Sequence, residues 1–162
     1  MQSTKTQVMD YLTEVKDPEI PVLNVVEMGI VRDVLFEEDG LHVTITPTYS
    51  GCPAMQTISD DIVSELERRN MGPVHVDTVF APAWTTEWIT EEARDKMRDF
   101  GISPPGKPCA NPLDNDPEMQ VTACPYCGSS NTSMRSEFGS TACKSLHMCQ
   151  GCTQPFEHFK CI

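Results

Sequence analysis

Apolar residues recur at helical and strand periods over the first hundred positions, and the periods alone set out a sequence of elements. Val8, Tyr11, Leu12 and Val15 are spaced 3, 1 and 3 apart, which makes one apolar face of a first helix. That helix must stop by Lys16, because Pro18 and Pro21 push the residues before them, Asp17 and Ile20, out of helical conformation. Residues 30–36 and 41–46 read as two strands joined by the acidic turn Glu37-Glu38-Asp39-Gly40. In the second strand Leu41, Val43 and Ile45 alternate with His42, Thr44 and Thr46, so one face is buried. Pro53, tolerated in a first turn, opens a second helix with Met55, Ile58, Ile62 and Leu66 as its core stripe. It closes at Arg68-Arg-Asn-Met-Gly72. Residues 74–80 give a third strand, and Thr90 can cap a short acidic helix over 91–100.

This order predicts an α+β domain over residues 1–100, a small three-stranded sheet backed by helices. Prolines and polar residues then dominate, and 101–120 is expected to be a linker. Within it Cys109 has no evident role.

The end of the chain follows a different logic. Cys124-Pro-Tyr-Cys127 is followed, after 21 residues, by Cys149-Gln-Gly-Cys152. Two such loops place four thiolates at the corners of a tetrahedron, which is what a closed structural Zn²⁺ site requires. Gly128 and Gly151 help the backbone curl round a metal. Residues 121–162 are therefore expected to be a β-hairpin zinc ribbon with Cys124, Cys127, Cys149 and Cys152 as ligands. A competing reading makes Cys124 and Cys127 the dithiol of a thiol oxidoreductase. Gly128-Ser-Ser-Asn131 is turn chemistry where that reading needs a helix, and the second cysteine pair would have no place in it.

Charge narrows the function. The formal net charge is −12, with 22 of the 24 acidic and 9 of the 12 basic side chains in residues 1–120. Arg135, Lys144 and Lys160 are too few to bind a phosphate backbone, so nucleic acid is not an expected partner. No apolar run reaches membrane-spanning length, and the polar start lacks a signal-peptide core. Eight cysteines without an export signal point to metal binding in a reducing, cytoplasmic setting.

Cys52 is the sharpest chemical candidate in the first domain. It lies in Thr46-Pro-Thr-Tyr-Ser-Gly-Cys-Pro53, between the second strand and the second helix, where a helix N-terminus favours thiolate. Gly51 permits close backbone approach, and Thr46 and Thr48 can donate hydrogen bonds. A buried structural cysteine is the other reading. Asp17 and Glu19, held between prolines, can serve a thiol, a metal or a basic partner, or simply cap a solvated loop. Cys143 and Cys161 are either packed among Phe138, Phe156 and Phe159 or a second pair for metal or redox chemistry. His42 and His75 read as exposed strand residues, and His147 and His158 are not needed as ligands beside four cysteines. Trp84 and Trp88 suit either a core anchor or a binding surface.

The motifs together resemble a known family. Asp17-Pro-Glu-Ile-Pro-Val-Leu23, Met28-Gly-Ile-Val31 and Thr46-Pro-Thr-Tyr-Ser-Gly-Cys-Pro-Ala54 are similar to the metal–sulfur cluster assembly domain, whose members include bacterial SufT. With Pro82-Ala-Trp-Thr-Thr-Glu-Trp88, Phe100-Gly-Ile-Ser-Pro-Pro105, Phe138-Gly-Ser-Thr-Ala-Cys-Lys144 and Phe159-Lys-Cys-Ile162, nearly the whole chain resembles the small accessory proteins encoded with the phenylacetyl-CoA epoxidase of aerobic phenylacetate degradation. The resemblance implies a maturation factor rather than an enzyme in its own right. Cys52 would be its reactive position, accompanied by Asp17 and Glu19, and would hold iron or an Fe–S cluster transiently. It also gives Cys143 and Cys161 weight as a pair or second metal site. The implied partners are the epoxidase reductase or di-iron oxygenase and the Fe–S assembly machinery, and a homodimer is compatible with it. A non-catalytic structural subunit of the epoxidase is the alternative, and a thiol oxidoreductase the second.

Overall fold

A computed structural model describes residues 4–106 and 122–162, so Cys109 and most of the expected linker lie outside the described residues. The chain divides into two compact units, 1–84 and 85–162.

The first unit begins with α1 (Lys5–Leu12), started by a capping box in which Thr4 and Gln7 satisfy each other's backbone N–H groups. Strands β1 (Val31–Glu37) and β2 (Gly40–Ile45) form an antiparallel hairpin through the predicted acidic turn. Helix α2 (Ala54–Arg68) crosses over and returns the chain to β3 (Val74–Thr78), which pairs parallel to β2, giving the order β1-β2-β3. Val8 and Leu12 of α1, Ile58, Ile62 and Leu66 of α2, and Leu41, Val43 and Ile45 of β2 are all buried. These are the predicted stripes, and only Met55 and Tyr11 stand at their margins.

Between α1 and β1 lie eighteen residues, 13–30, without a regular element. They are nevertheless core, since Ile20, Leu23, Val25, Met28 and Ile30 are each no more than 1% exposed. Backbone bonds knit the segment: Asp17 N–H donates to Leu23 O at 2.9 Å and Val25 N–H to Val15 O at 3.0 Å. Two side chains complete it. The Asp17 carboxylate accepts from the N–H groups of Glu19 and Ile20, at 2.7 and 3.0 Å. Asn24 and Glu27 cap one another's backbone in an Asn-x-x-Glu turn. Trp84 is a core anchor here, donating its indole N–H to Met28 O at 2.9 Å.

The second unit starts earlier than the sequence pattern placed it. Helix α3 (Glu91–Asp99), capped by Thr90 as expected, belongs with the C-terminal sheet and not with the first unit. The physical reason is Arg94, which is buried and donates to Thr86 O at 2.8 Å and to Pro105 O. Strand β4 (Ile102–Ser103) then pairs parallel to β7 (Pro155–Phe159), within the region expected to be linker. Strands β5 (Thr132–Ser136) and β6 (Lys144–Cys149) complete the order β4-β7-β6-β5, with β5, β6 and β7 antiparallel.

His158 fixes β4 to β7 by donating from Nδ1 to Ser103 O at 3.1 Å. Burial, and secondarily the nearby His147, holds its imidazole down to about 4 from an ordinary 6.5, so it stays neutral when folded. In the unfolded chain the same ring takes up a proton below about pH 6.5, so stability is complete above that pH and is lost as pH falls toward 4. At pH 5 the loss is about 2 kcal/mol relative to pH 8. Denaturant midpoints of wild type and His158→Gln at both pH values test this. The wild type is expected to show the steeper decline, and parallel declines would show that the ring titrates normally.

Candidate functional site

Two places in the fold concentrate chemistry, one in each unit. In the second unit the four predicted cysteines converge, their sulfurs all within 4.8 Å of one another. Cys124 Sγ is 3.7 Å from Cys152 Sγ, and Cys127 Sγ is 3.5 Å from Cys149 Sγ. A tetrahedral metal with bonds of about 2.3 Å to sulfur needs sulfur–sulfur edges of about 3.8 Å. The donor set therefore fits such an ion.

Two matching turns carry these sulfurs. Cys124 N–H donates to Ser129 O at 2.9 Å, and Cys149 N–H to Gln154 O at 3.0 Å, so each Cys-x-x-Cys closes with the same backbone bond. At the same position in each turn the chain takes positive φ: +75° at Gly128 and +62° at Thr153. Glycine suits that conformation, whereas a β-branched residue is strained in it. Gly151 contributes room, since a Cβ there would meet Ser129.

The electrostatics of the thiols ask for a cation. The Cys152 N–H, aimed at the Cys149 sulfur at 3.5 Å, leads the influences that hold Cys149 down to about 6. Cys152 is pushed up to about 12: the Gln154 N–H favours its thiolate, but burial and the thiols of Cys124, Cys127 and Cys149 prevail. One sulfur ionises readily and its neighbour then resists, which is the behaviour of like charges sharing a small volume. After Cys127 the chain turns and enters β5 rather than a helix.

The motif Phe138-Gly-Ser-Thr-Ala-Cys-Lys144 supports this sheet. Glu157 accepts from Ser140 N–H at 2.7 Å and from its hydroxyl, and lies 3.6 Å from the buried Lys144 ammonium. Cys143 is a buried thiol 3.1 Å from Thr141 Oγ1. Cys161 is disulfide-bonded and Cys143 is not, so the two are not bonded to each other.

In the first unit Cys52 stands half-buried immediately before α2. Gly51, at φ +80°, turns the chain so that Cys52 N–H reaches Tyr49 O at 3.2 Å. Pro53 is the N-cap, and no side chain caps α2. The N-terminal N–H groups of a fifteen-residue helix thus start beside the thiol. Thr46 and Thr48 are buried at the entry to the turn, and the Thr46 hydroxyl has no hydrogen-bond partner among the described residues. Asp17 is occupied with its own turn and lines a groove with Asp61, Ser64, Glu65 and Arg68 of α2. Cys52 does not line that groove.

The pattern reading missed the outer face of the sheet. His42 and His75 are direct register partners on β2 and β3, with rings stacked at 4.7 Å, and Asp39 and Asp77 flank them. Asp77 first, and then Asp39, raises the His42 imidazole above its ordinary value. A polar His at the same place in two strands was the available signal, but it has meaning only once β2 and β3 are known to be parallel neighbours.

Comparison with known proteins follows the same division. Residues 5–79 match the model of the iron-sulfur cluster assembly protein family, and residues 108–160 match that of the PaaD zinc beta ribbon domain. The chain is 45% identical over 152 residues to an Escherichia coli protein named as one subunit of a "Putative 1,2-phenylacetyl-CoA epoxidase", covering 93% of this chain and 89% of that one. The chain belongs to the PaaD family. An "Fe-S protein maturation auxiliary factor" of Bacillus subtilis is 35% identical, covering 57% of this PaaD-family chain and 92% of its own. Among solved structures, a domain of unknown function from Bacillus anthracis superposes with a TM-score of 0.52 at 28% identity, over 56% of this chain and 87% of that one. A conserved hypothetical protein from Thermotoga maritima gives 0.51 at 31%, over 59% and 95%. The PaaD family thus joins a domain that elsewhere stands alone to a metal-binding ribbon. No helix among the described residues is long and apolar enough to cross a membrane.

The tetrathiolate arrangement makes a direct prediction. Cys149→Ser is expected to weaken metal retention against a chromogenic chelator by at least about tenfold and to speed amide exchange across β6 and β7. Cys143→Ser, outside the cluster, is expected to retain metal like wild type. Equal retention in both would overturn the ligand assignment.

Proposed function

We propose that this chain is an accessory factor for a phenylacetyl-CoA epoxidase system, promoting the installation of an iron or Fe–S cofactor in the reductase or the oxygenase. The observation that carries this reading is the 45% identity to an epoxidase subunit across nearly the whole chain, together with a first unit matching Fe–S assembly proteins. Maturation factors from two further bacteria, matching at 35% and 36%, support the same role.

In this reading the two units divide the work. The ribbon holds Zn²⁺ through Cys124, Cys127, Cys149 and Cys152, and the ion is structural because all four positions are filled by protein sulfur. Cys52 is the working thiol. Its place before an uncapped helix suits an anionic thiolate and an anionic cluster alike. The buried Thr46 hydroxyl, whose lack of a partner costs about 1–3 kcal/mol, supports a polar group arriving at that turn. The Asp17 carboxylate and the Glu19 N–H close a turn of the 13–30 loop within the first unit, and their part in the site is to hold its framework. Iron or the cluster is cargo rather than a resident cofactor.

The name of the E. coli relative favours a second reading, a structural component of the epoxidase without a role in cofactor content. One experiment separates the two. The epoxidase components are purified from cells carrying wild type, Cys52→Ala or no copy of this chain, and their iron and acid-labile sulfide are measured. Cys52→Ala is expected to keep its ribbon zinc while client cofactor falls several-fold, toward the level found with no copy. Full loading in every strain, with a poorly assembled complex only where the chain is missing, would overturn the maturation reading and support the structural one.

A further inference from the structure

The outer face of the first unit's sheet carries a side-chain set that the maturation reading does not use. His42 on β2 and His75 on β3 are opposed in register, so both rings leave the same face of the sheet. They stack with centroids 4.7 Å apart and planes 27° from parallel. Asp39 reaches them from the β1–β2 turn, its Oδ1 3.1 Å from His42 Nε2 and its Oδ2 4.0 Å from His75 Nε2. One ligand atom from each of the three lies within 4.8 Å of the other two.

The Asp39–His42 separation is that of neighbouring metal ligands, and the Asp39–His75 separation of 4.0 Å is a few tenths of an ångström longer, which a rotation of the exposed Asp39 carboxylate closes. Bonds of about 2.0–2.2 Å to nitrogen and oxygen put neighbouring ligands roughly 3.0–3.6 Å apart in octahedral or tetrahedral geometry. His75 Nε2 also lies 3.3 Å from Asp39 O, so the β1–β2 turn presents both a carboxylate and a carbonyl to the stacked rings. The second layer is also in place. His42 Nδ1 is 2.9 Å from Asp77 Oδ2, two residues along β3 from His75, on the same face. A carboxylate that accepts the Nδ1–H fixes the tautomer in which Nε2 presents its lone pair, an arrangement typical of metal-binding histidines. Glu37 and Glu38 add negative charge in the same turn.

We propose that Asp39, His42 and His75 form a binding site for an exchangeable divalent first-row transition ion, with Asp77 orienting His42. Two imidazoles and a carboxylate suit ions such as Zn²⁺, Co²⁺, Ni²⁺ or Fe²⁺, and exclude Ca²⁺ and Mg²⁺, which want oxygen. Three protein ligands leave coordination positions for water, and His75 and Asp39 are both well exposed. The ion therefore enters and leaves from solvent, in contrast to one enclosed by four sulfurs. The site stands on the sheet and is independent of the role of Cys52.

The test uses the full chain with its ribbon already loaded with zinc. Co²⁺ is titrated at about pH 8, on the alkaline side of the ordinary imidazole range because Asp77 and Asp39 favour the protonated His42, and is followed by calorimetry and visible absorption. One further equivalent is expected, with ligand-field bands of nitrogen and oxygen coordination and no thiolate-to-metal charge transfer. His75→Gln and Asp39→Asn, both at exposed positions, are each expected to weaken binding by at least about tenfold with unchanged thermal midpoints. Asp77→Asn is expected to weaken it by about tenfold through His42 alone. No additional cobalt, or binding indifferent to His75→Gln and Asp39→Asn, or a thiolate charge-transfer band for the added ion, would each overturn the proposal.

Discussion

Four sulfur atoms within 4.8 Å of one another cannot all carry charge unless a cation lies between them, and the second unit is organised around that constraint. Among the described residues the buried apolar cluster at the knuckles is Cys124, Cys149 and Phe156, with Cys152 packed against it. Such a core is too small to offset the conformational entropy of the loops that bear it. A metal bound by the two turns supplies what burial does not, and sheet order then spreads outward through β6 and β7. Away from the cysteines, Ile89, Ala93, Met97, Ile102 and Phe159 are buried, and ionic and polar contacts join them: Glu157 gathers Ser140 and Lys144, and Arg94 fastens α3 to Thr86 and Pro105.

The first unit rests on ordinary hydrophobic burial and keeps its polar chemistry at the edges. Its long 13–30 connection would be costly as a free loop, but five apolar side chains anchor it and Asp17, Asn24 and Glu27 satisfy its turns. The segment ends by meeting the strand that leads to Cys52, since Thr46 N–H donates to Ile30 O at 2.9 Å. The Cys52 thiol itself is half-buried, between full enclosure and open solvent. That combination suits transient engagement better than stable enclosure, which is what the tetrathiolate provides.

Much of this was legible from the chain. The stripe Ile58, Ile62, Leu66 and the alternation of Leu41, Val43 and Ile45 are local patterns, and they found the elements they predict. The convergence of the four cysteines was legible because their spacing encodes the geometry. Pairing across the crossover was not. Nothing in residues 41–46 or 74–80 says that they run parallel and in register, so His42 and His75 read as two unrelated exposed residues. The unit boundary was hidden for a similar reason, since Arg94 appears as one more surface cation until its partners at Thr86 and Pro105 are seen. Asp17, in contrast, was conspicuous in sequence for its prolines, and its carboxylate turns out to be spent on backbone N–H groups.

The two cysteine turns share a hydrogen-bond pattern but not a backbone cost. Gly128 adopts its positive φ freely, while Thr153 holds the equivalent conformation with a branched side chain. The first turn is thus relaxed and the second is cocked. The turn bearing Cys149 and Cys152 therefore spends part of its stability on its own backbone, at a residue that is not one of the four sulfur donors.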